Sequence, residues 1–251
     1  MPKTIRVAAA GDIHAGSTDG DRVRDAFRRV EEQADLVLLA GDLTRHGQVD
    51  EIQVVADACR DLQIPVVAVL GNHDWQSDRA HDLARCLSEA GVVVLERTHT
   101  VLRVCGVTVG IAGVKGFAGG YGRATLGSWG ERSIKTFVNE AIQEALKLES
   151  ALAKLRTAER LAVLHYSPIE ATVQGEPIEI FPFLGTSRLE EPLIRYPVST
   201  VLHGHAHRGS PEGRTVNGTP VYNVALPLLK RTYPDRPAFR LIELPRAAAA
   251  A

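Results

Sequence analysis

Cysteine is scarce: Cys59, Cys86 and Cys105 are the three in 251 residues, widely spaced, and no two form a CxxC pair. This pattern suits reduced thiols better than a disulfide framework. No apolar run reaches membrane-spanning length, and no basic flank followed by a long apolar core opens the sequence. The expectation is a cytoplasmic protein without membrane contact. Neither sign of charge is in excess. Lys and Arg number 29 against 30 Asp and Glu, a net charge of −1, which argues against nucleic acid as a general partner. Arg22, Arg24, Arg28 and Arg29 do cluster, but with Glu31 and Glu32 nearby they read as the solvated face of a helix. A GxxxxGK[ST] nucleotide loop is missing, as are internal repeats and linkers. At 45% apolar and 24% charged residues, the length suits one α/β domain over 1–245, with the alanine-rich 246–251 set aside.

Metal-ligand residue types are plentiful by contrast. Four short blocks occur in order: Asp12-Ile-His14, Gly41-Asp42, Gly71-Asn72-His73-Asp74 and Gly204-His205-Ala206-His207, with a solitary His165 before the last. Carboxylates, an amide carbonyl and imidazoles together suit divalent ions, and the donors exceed what one site can use. Each block also stands where an apolar run stops: 5–10, 36–40, 66–70, 161–164 and 198–202. Short bounded runs of this kind read as buried strands, and ligands gather beyond the carboxyl ends of strands in covered sheets.

The ordered set resembles the calcineurin-like metallophosphoesterase superfamily, whose pattern is DxH, GD, GNH(D/E), a lone His and GHxH. All five elements are present from Asp12 to His207. Carried over position by position, the resemblance implies that Asp12, His14 and His207 hold one divalent metal ion. Asn72, His165 and His205 would hold a second, with Asp42 bridging them. The ions would be Mn, Fe, Zn or Ni, a choice the ligands do not settle. A metal-bridging hydroxide would attack phosphorus while His73 assists the leaving group. The implied activity is hydrolysis of a small phosphodiester or phosphomonoester, a nucleotide among the options. The alternatives are a non-catalytic metal-binding scaffold of the same fold and a metal-dependent nuclease.

One departure narrows the branch. Protein Ser/Thr phosphatases of the superfamily read GDxxDRG, whereas Arg45 and His46 occupy the positions of the second Asp and the Arg here. The carboxylate that pairs with the catalytic histidine is thus absent. GDLT followed by GNHD looks closer to the class III cyclic nucleotide phosphodiesterase branch. His46 is a candidate substrate contact or a solvated loop residue. Asp74 reads first as a cap for the following helix, and His203 as a residue packed beneath the GHAH block.

Strands and helices alternate over the first third, with helices about 20–34, 48–62 and 78–90, which is βαβ logic. Runs at 92–95, 101–104 and 107–112 look hairpin-like. A long helix spans 131 to about 158, with Ile134, Phe137, Val138, Ala141, Ile142, Ala145, Leu146, Leu152 and Leu155 at helical spacing. Asn217-Gly218 signals a hairpin, and 239–244 a last strand. The fold class is α/β, a two-sheet mixed β-sandwich flanked by helices, and the resemblance implies four αββα layers. Two irregular stretches are candidates for substrate choice. Residues 113–130 carry seven glycines, whose amides are able to cradle an anion. Residues 167–188 carry aromatics that would stack on a planar group or form a homodimer contact. There Ser187 with Glu190 matches a capping box, and Arg188 is a candidate substrate contact.

Overall fold

Strand residues that are apolar without alternation need cover on both faces, and the two sheets supply it. A computed structural model describes residues 4–244; the tail 246–251 lies outside the described residues. The first part lays down β1 (Ile5–Ala10), α1 (Gly20–Glu31), β2 (Leu36–Ala40), α2 (Val49–Arg60), β3 (Val66–Val69), α3 (Ala80–Glu89) and β4 (Val93–Val94). A hairpin of β5 (Thr98–Val104) and β6 (Val107–Val114) follows, then α4 (Arg132–Lys154), β7 (Glu159–Leu164), α5 (Phe181–Leu184) and α6 (Glu190–Arg195). The chain continues through β8 (Thr200–His203), β9 (Glu212–Arg214), β10 (Pro220–Asn223), α7 (Leu226–Thr232) and β11 (Arg240–Leu244).

One sheet has the order β11-β1-β2-β3-β4 and the other β5-β6-β7-β8-β10-β9. Within them β1, β2, β3 and β4 are parallel, as are β6, β7, β8 and β10. Residues of β2 divide between the two faces. Val37 and Leu39 pack toward α1, α2 and α3, while Leu36, Leu38 and Ala40 meet Val109, Ile111, Leu161 and Val163 of the opposite sheet. A third apolar layer joins that second sheet to α4 and α6. The result is the four-layer αββα sandwich.

Three details differ from the sequence reading. The run near 92–95 is not part of a hairpin: β4 adds parallel to the edge of β3, and the hairpin is formed by the next two runs, β5 and β6. Helix α4 buries Val138, Ala141, Glu144, Leu148, Ala151 and Leu152, whereas Ile134 and Leu146 are exposed. The interior stripe includes the carboxylate of Glu144, which accepts from the Gly116 amide and pairs with Arg97 Nε at 2.9 Å. The hairpin at Asn217-Gly218 and the strand β11 fall where expected.

Candidate metal centre

Five parallel strands, three from one sheet and two from the other, end at the same place. Beyond β1 lie Asp12 and His14, beyond β2 Asp42, beyond β3 Asn72 and His73, beyond β7 His165, and beyond β8 His205 and His207. The turns off the strands are tight. Asp12, His14, Asp42 and His205 all adopt left-handed backbone, with φ of 55°, 45°, 49° and 70°. For non-glycine residues this costs roughly 1–3 kcal/mol each and marks positions held by their surroundings for function.

The glycines beside the ligand residues act through close approach. A Cβ at Gly71 would stand 2.8 Å from Asp42 Cγ, with Asp42 Oδ1 and N closer still. A Cβ at Gly204 would collide with Asp12 Oδ2. Each of these two carboxylates therefore rests against a bare backbone of another loop.

Donor atoms gather into three overlapping groups: Asp12, His14 and His207; His14, Asp42 and His73; Asp42, His165 and His205. The atoms in each lie within 4.8 Å of one another. His207 Nε2 is 2.9 Å from Asp12 Oδ1, and His14 Nε2 is 3.9 Å from both Asp12 Oδ1 and Asp42 Oδ2. His165 Nε2 is 2.8 Å from Asn72 Oδ1 and 3.4 Å from Asp42 Oδ1. The sequence-predicted Asp12, His14, Asp42, Asn72, His73, His165, His205 and His207 are thus brought together. This mixture of carboxylate, amide and imidazole donors fits divalent cations.

Burial decides the charge state of several rings. Desolvation pushes His205 and His203 down to about 4, and lowers His14. Neutral imidazoles of this kind are what metal binding requires. His207 is shifted upward by its hydrogen bond to Asp12. For His165, burial opposes protonation, but Asp42 outweighs it and raises the ring to about 9. Burial likewise works against the charge on Asp42, yet His165 and His73 hold its carboxyl well below the usual range.

Main-chain carbonyls orient the rings. His165 Nδ1 meets the Ala40 carbonyl at 2.9 Å, His205 Nε2 the Phe183 carbonyl at 3.1 Å, and His73 Nδ1 the Arg45 carbonyl at 2.8 Å. If each of these nitrogens donates its N–H, the other carries the lone pair, and for His165 and His73 that is the Nε2 facing Asp42. The carboxylate missing from position 45 is replaced by that residue's own peptide oxygen.

Asp74 is not a helix cap. It is fully buried, and its two oxygens accept from the amides of Leu43, Thr44 and Gly71 and from the Thr44 hydroxyl at 2.6 Å. The loops after β2 and β3 carry amides that no strand satisfies, and this one carboxylate serves both. Burial and the neighbouring Asp42 push it up to about 6, while those donors pull it back. His203 lies beneath the GHAH block as expected, with Nδ1 at 2.8 Å from the Gly204 carbonyl and Nε2 at 2.8 Å from the Thr172 hydroxyl. Thr44, Thr172 and Asn223, whose amide donates to the Ala206 carbonyl at 2.8 Å, were not singled out in the sequence. Neither was Tyr166, whose ring is 4.4 Å from that of His205. Its place directly after His165 was the one available signal.

The two irregular stretches brace each other. Amides of Gly119 and Gly120 donate to the Pro182 and Gly185 carbonyls, and that of Gly122 to Ser187 Oγ, so these glycine amides serve protein acceptors and not an anion. Thr186, not Ser187, caps the short turn at 187–189, and Glu190 accepts from the Val216 amide, so the capping box does not form. Arg188 donates to the Leu126 carbonyl at 2.9 Å. His46 is exposed, and its amide donates to Glu51 Oε2. Among the described residues neither side chain bonds to the donor cluster.

A family model for the calcineurin-like phosphoesterases matches residues 5–209. The chain belongs to that family. The family is metal-dependent, and the clustered His and Asp residues of this chain are able to hold metal. It is 24% identical, over 73% of its length, to a probable glycerophosphodiester phosphodiesterase from Arcobacter nitrofigilis, and the match spans 60% of that relative. In fold it is similar to a phosphopantetheinyl hydrolase from Mycobacterium tuberculosis, with a TM-score of 0.70 at 18% identity, covering 96% of this chain and 97% of that one. A 5'-nucleotidase-like structure from Staphylococcus aureus aligns at a TM-score of 0.54 and 16% identity, covering 88% of this chain and 48% of that one. Among the described residues, no helix of this chain is long and apolar enough to cross a membrane.

Proposed function

We propose that the protein is a dinuclear metal-dependent phosphohydrolase acting on a small phosphodiester or phosphomonoester. The observation that carries this reading is the placement of Asp42. Its Oδ1 faces His165 at 3.4 Å, and its Oδ2 faces His14 and His73 at 3.9 Å, so one carboxylate belongs to two donor groups. Asp12, His14 and His207 would complete one site, and Asn72, His165 and His205 the other. Two divalent cations, when bound, supply a hydroxide nucleophile near neutral pH and neutralise charge on the phosphoryl oxygens.

The chain's own residues do the rest. Asp12 and Asp42 are buried among apolar strand ends, where their charge acts through a low dielectric. The Arg45 and Asp42 contacts fix His73 twice, by ring and by amide, the latter donating to Asp42 Oδ1 at 2.8 Å. His73 is half-buried, which leaves its Nε2 able to exchange a proton with a leaving oxygen. Similarity to a probable glycerophosphodiester phosphodiesterase supports a diester substrate.

Turnover of bis-p-nitrophenyl phosphate with Mn²⁺ tests the proposal. His73→Ala is expected to lower kcat by about two to four powers of ten with metal retained. Asp42→Asn is expected to reduce the metal content measured by elemental analysis as well. Wild-type rates in both variants would sink the assignment.

A further inference from the structure

The arginines of α1 are not simply a solvated face. Arg22, Ala26 and Arg29 recur at helical spacing, and the fold sets that face opposite Lys230 of α7 and Arg236, more than two hundred residues away in sequence. Together they line an open groove of about 510 Å³ in which, among the described residues, Asp25 is the one acidic lining residue. The groove continues into a second hollow of about 210 Å³, sharing Arg22, Ala26, Lys230 and Ala238 and floored by Val23, Phe27, Leu226 and Phe239. Arg22 is partly engaged by Asp19 at 3.1 Å, and Arg236 stacks over Tyr233. Among the described residues, Arg29 and Lys230 are exposed and in no ion pair. In a chain of net charge −1, this is a local concentration of cations around an apolar trough.

We infer that this groove docks an acidic amphipathic helix of a partner protein. Arg22 and Arg29 are two helical turns apart, about 10 Å, which matches acidic residues at the same repeat along a helix lying beside α1. Ala26 and Ala238 keep the floor low, and small side chains at a helix contact shorten the distance between axes. Stacked nucleic acid bases fit poorly. Phe27 and Phe239 are buried and packed edge to face at 5.2 Å, so they offer no flat platform. A concave trough also fits a rod better than a flat bilayer. The groove reaches Ala10 and Ile13, on either side of Asp12, and Arg231 of α7 donates to the His207 carbonyl at 3.1 Å. A docked partner would lie against the back of the candidate metal loops. The inference rests on the groove alone and holds whatever ester is cleaved.

The test is fluorescence anisotropy with a labelled Leu/Glu amphipathic helical peptide, its Leu/Lys counterpart, a single-stranded oligonucleotide and phosphatidylglycerol vesicles. Wild-type protein is compared with the R29E/K230E variant, and matching melting temperatures establish that the variant is folded. The acidic peptide is expected to bind, to weaken as salt rises, and to bind roughly tenfold less tightly to the variant. Absence of acidic-peptide binding at low salt, equal affinity for both proteins, or stronger binding of the basic peptide, the oligonucleotide or the vesicles would overturn the inference. So would sedimentation showing a dimer that dissociates in the variant, because the groove would then belong to a second copy.

Discussion

Gly71→Ala tests whether Asp42 is held in one position by the backbone beneath it. The added methyl would stand 2.8 Å from Asp42 Cγ, with the Oδ1 and amide nitrogen of the same residue nearer still. Ordinary carbon contacts lie at about 3.5–4.0 Å, so the Asp42 backbone and side chain must together retreat by roughly an ångström. A displacement of that size in a catalytic constellation costs on the order of a hundredfold in rate. The overpacking itself should cost about 1–3 kcal/mol, and a domain of this size loses about 2–4 °C in Tm per kcal/mol. Gly20→Ala is the control, since a methyl there meets nothing within 4 Å. The assay pairs calorimetry with elemental analysis and turnover of bis-p-nitrophenyl phosphate. Gly71→Ala should melt several degrees lower, bind less metal and turn over about a hundred times more slowly, with Gly20→Ala near wild type. Full metal content and wild-type turnover in Gly71→Ala would refute the close-approach argument.

Other outcomes follow from the same geometry. Metal-free protein should lose stability as pH rises: His165 is raised to about 9, so its contribution is complete below the unfolded value near 6.5 and disappears through pH 9. Asp42, depressed, adds stability above the ordinary carboxylate range that is lost only on strong acidification. Melting curves of chelator-treated protein from pH 6 to about 10 measure the alkaline loss, and a profile shared by His165→Asn would show that the ring is not its source. Thr44→Val removes the hydroxyl that donates to Asp74 and accepts from the Gly47 amide at 3.1 Å. A loss of about 1–3 kcal/mol in urea unfolding is expected, and an unchanged midpoint would discount the clamp.

The ligand cluster was legible in the sequence because each block stops an apolar run, and a doubly covered strand cannot continue into charged residues. The layer order was what the family resemblance implied. What the sequence hid was choice among neighbours. Asp74 and Thr186 are short polar residues next to equally plausible ones, and which of them bonds depends on amides brought in from residues 43, 44 and 71 or on the path of the 113–130 stretch. Glu144 was hidden differently. A charged residue on the inner face of α4 contradicts the apolar periodicity, and its partner Arg97 comes from the turn before β5. Arg22 and Arg29 of α1 were visible, but their counterparts at 230 and 236 were not, since only the folded chain brings those residues to the same groove.

The hydrogen bonds from His73, His165 and His205 to peptide oxygens carry a consequence for how such a centre can vary. Every amino acid brings the same oxygen, so the exposed positions 45 and 183 can exchange side chains without altering which nitrogen of the His73 and His205 rings holds its proton. The aim of the imidazoles is stored in the course of the loops. Reshaping a loop therefore changes the chemistry more readily than replacing a residue within it.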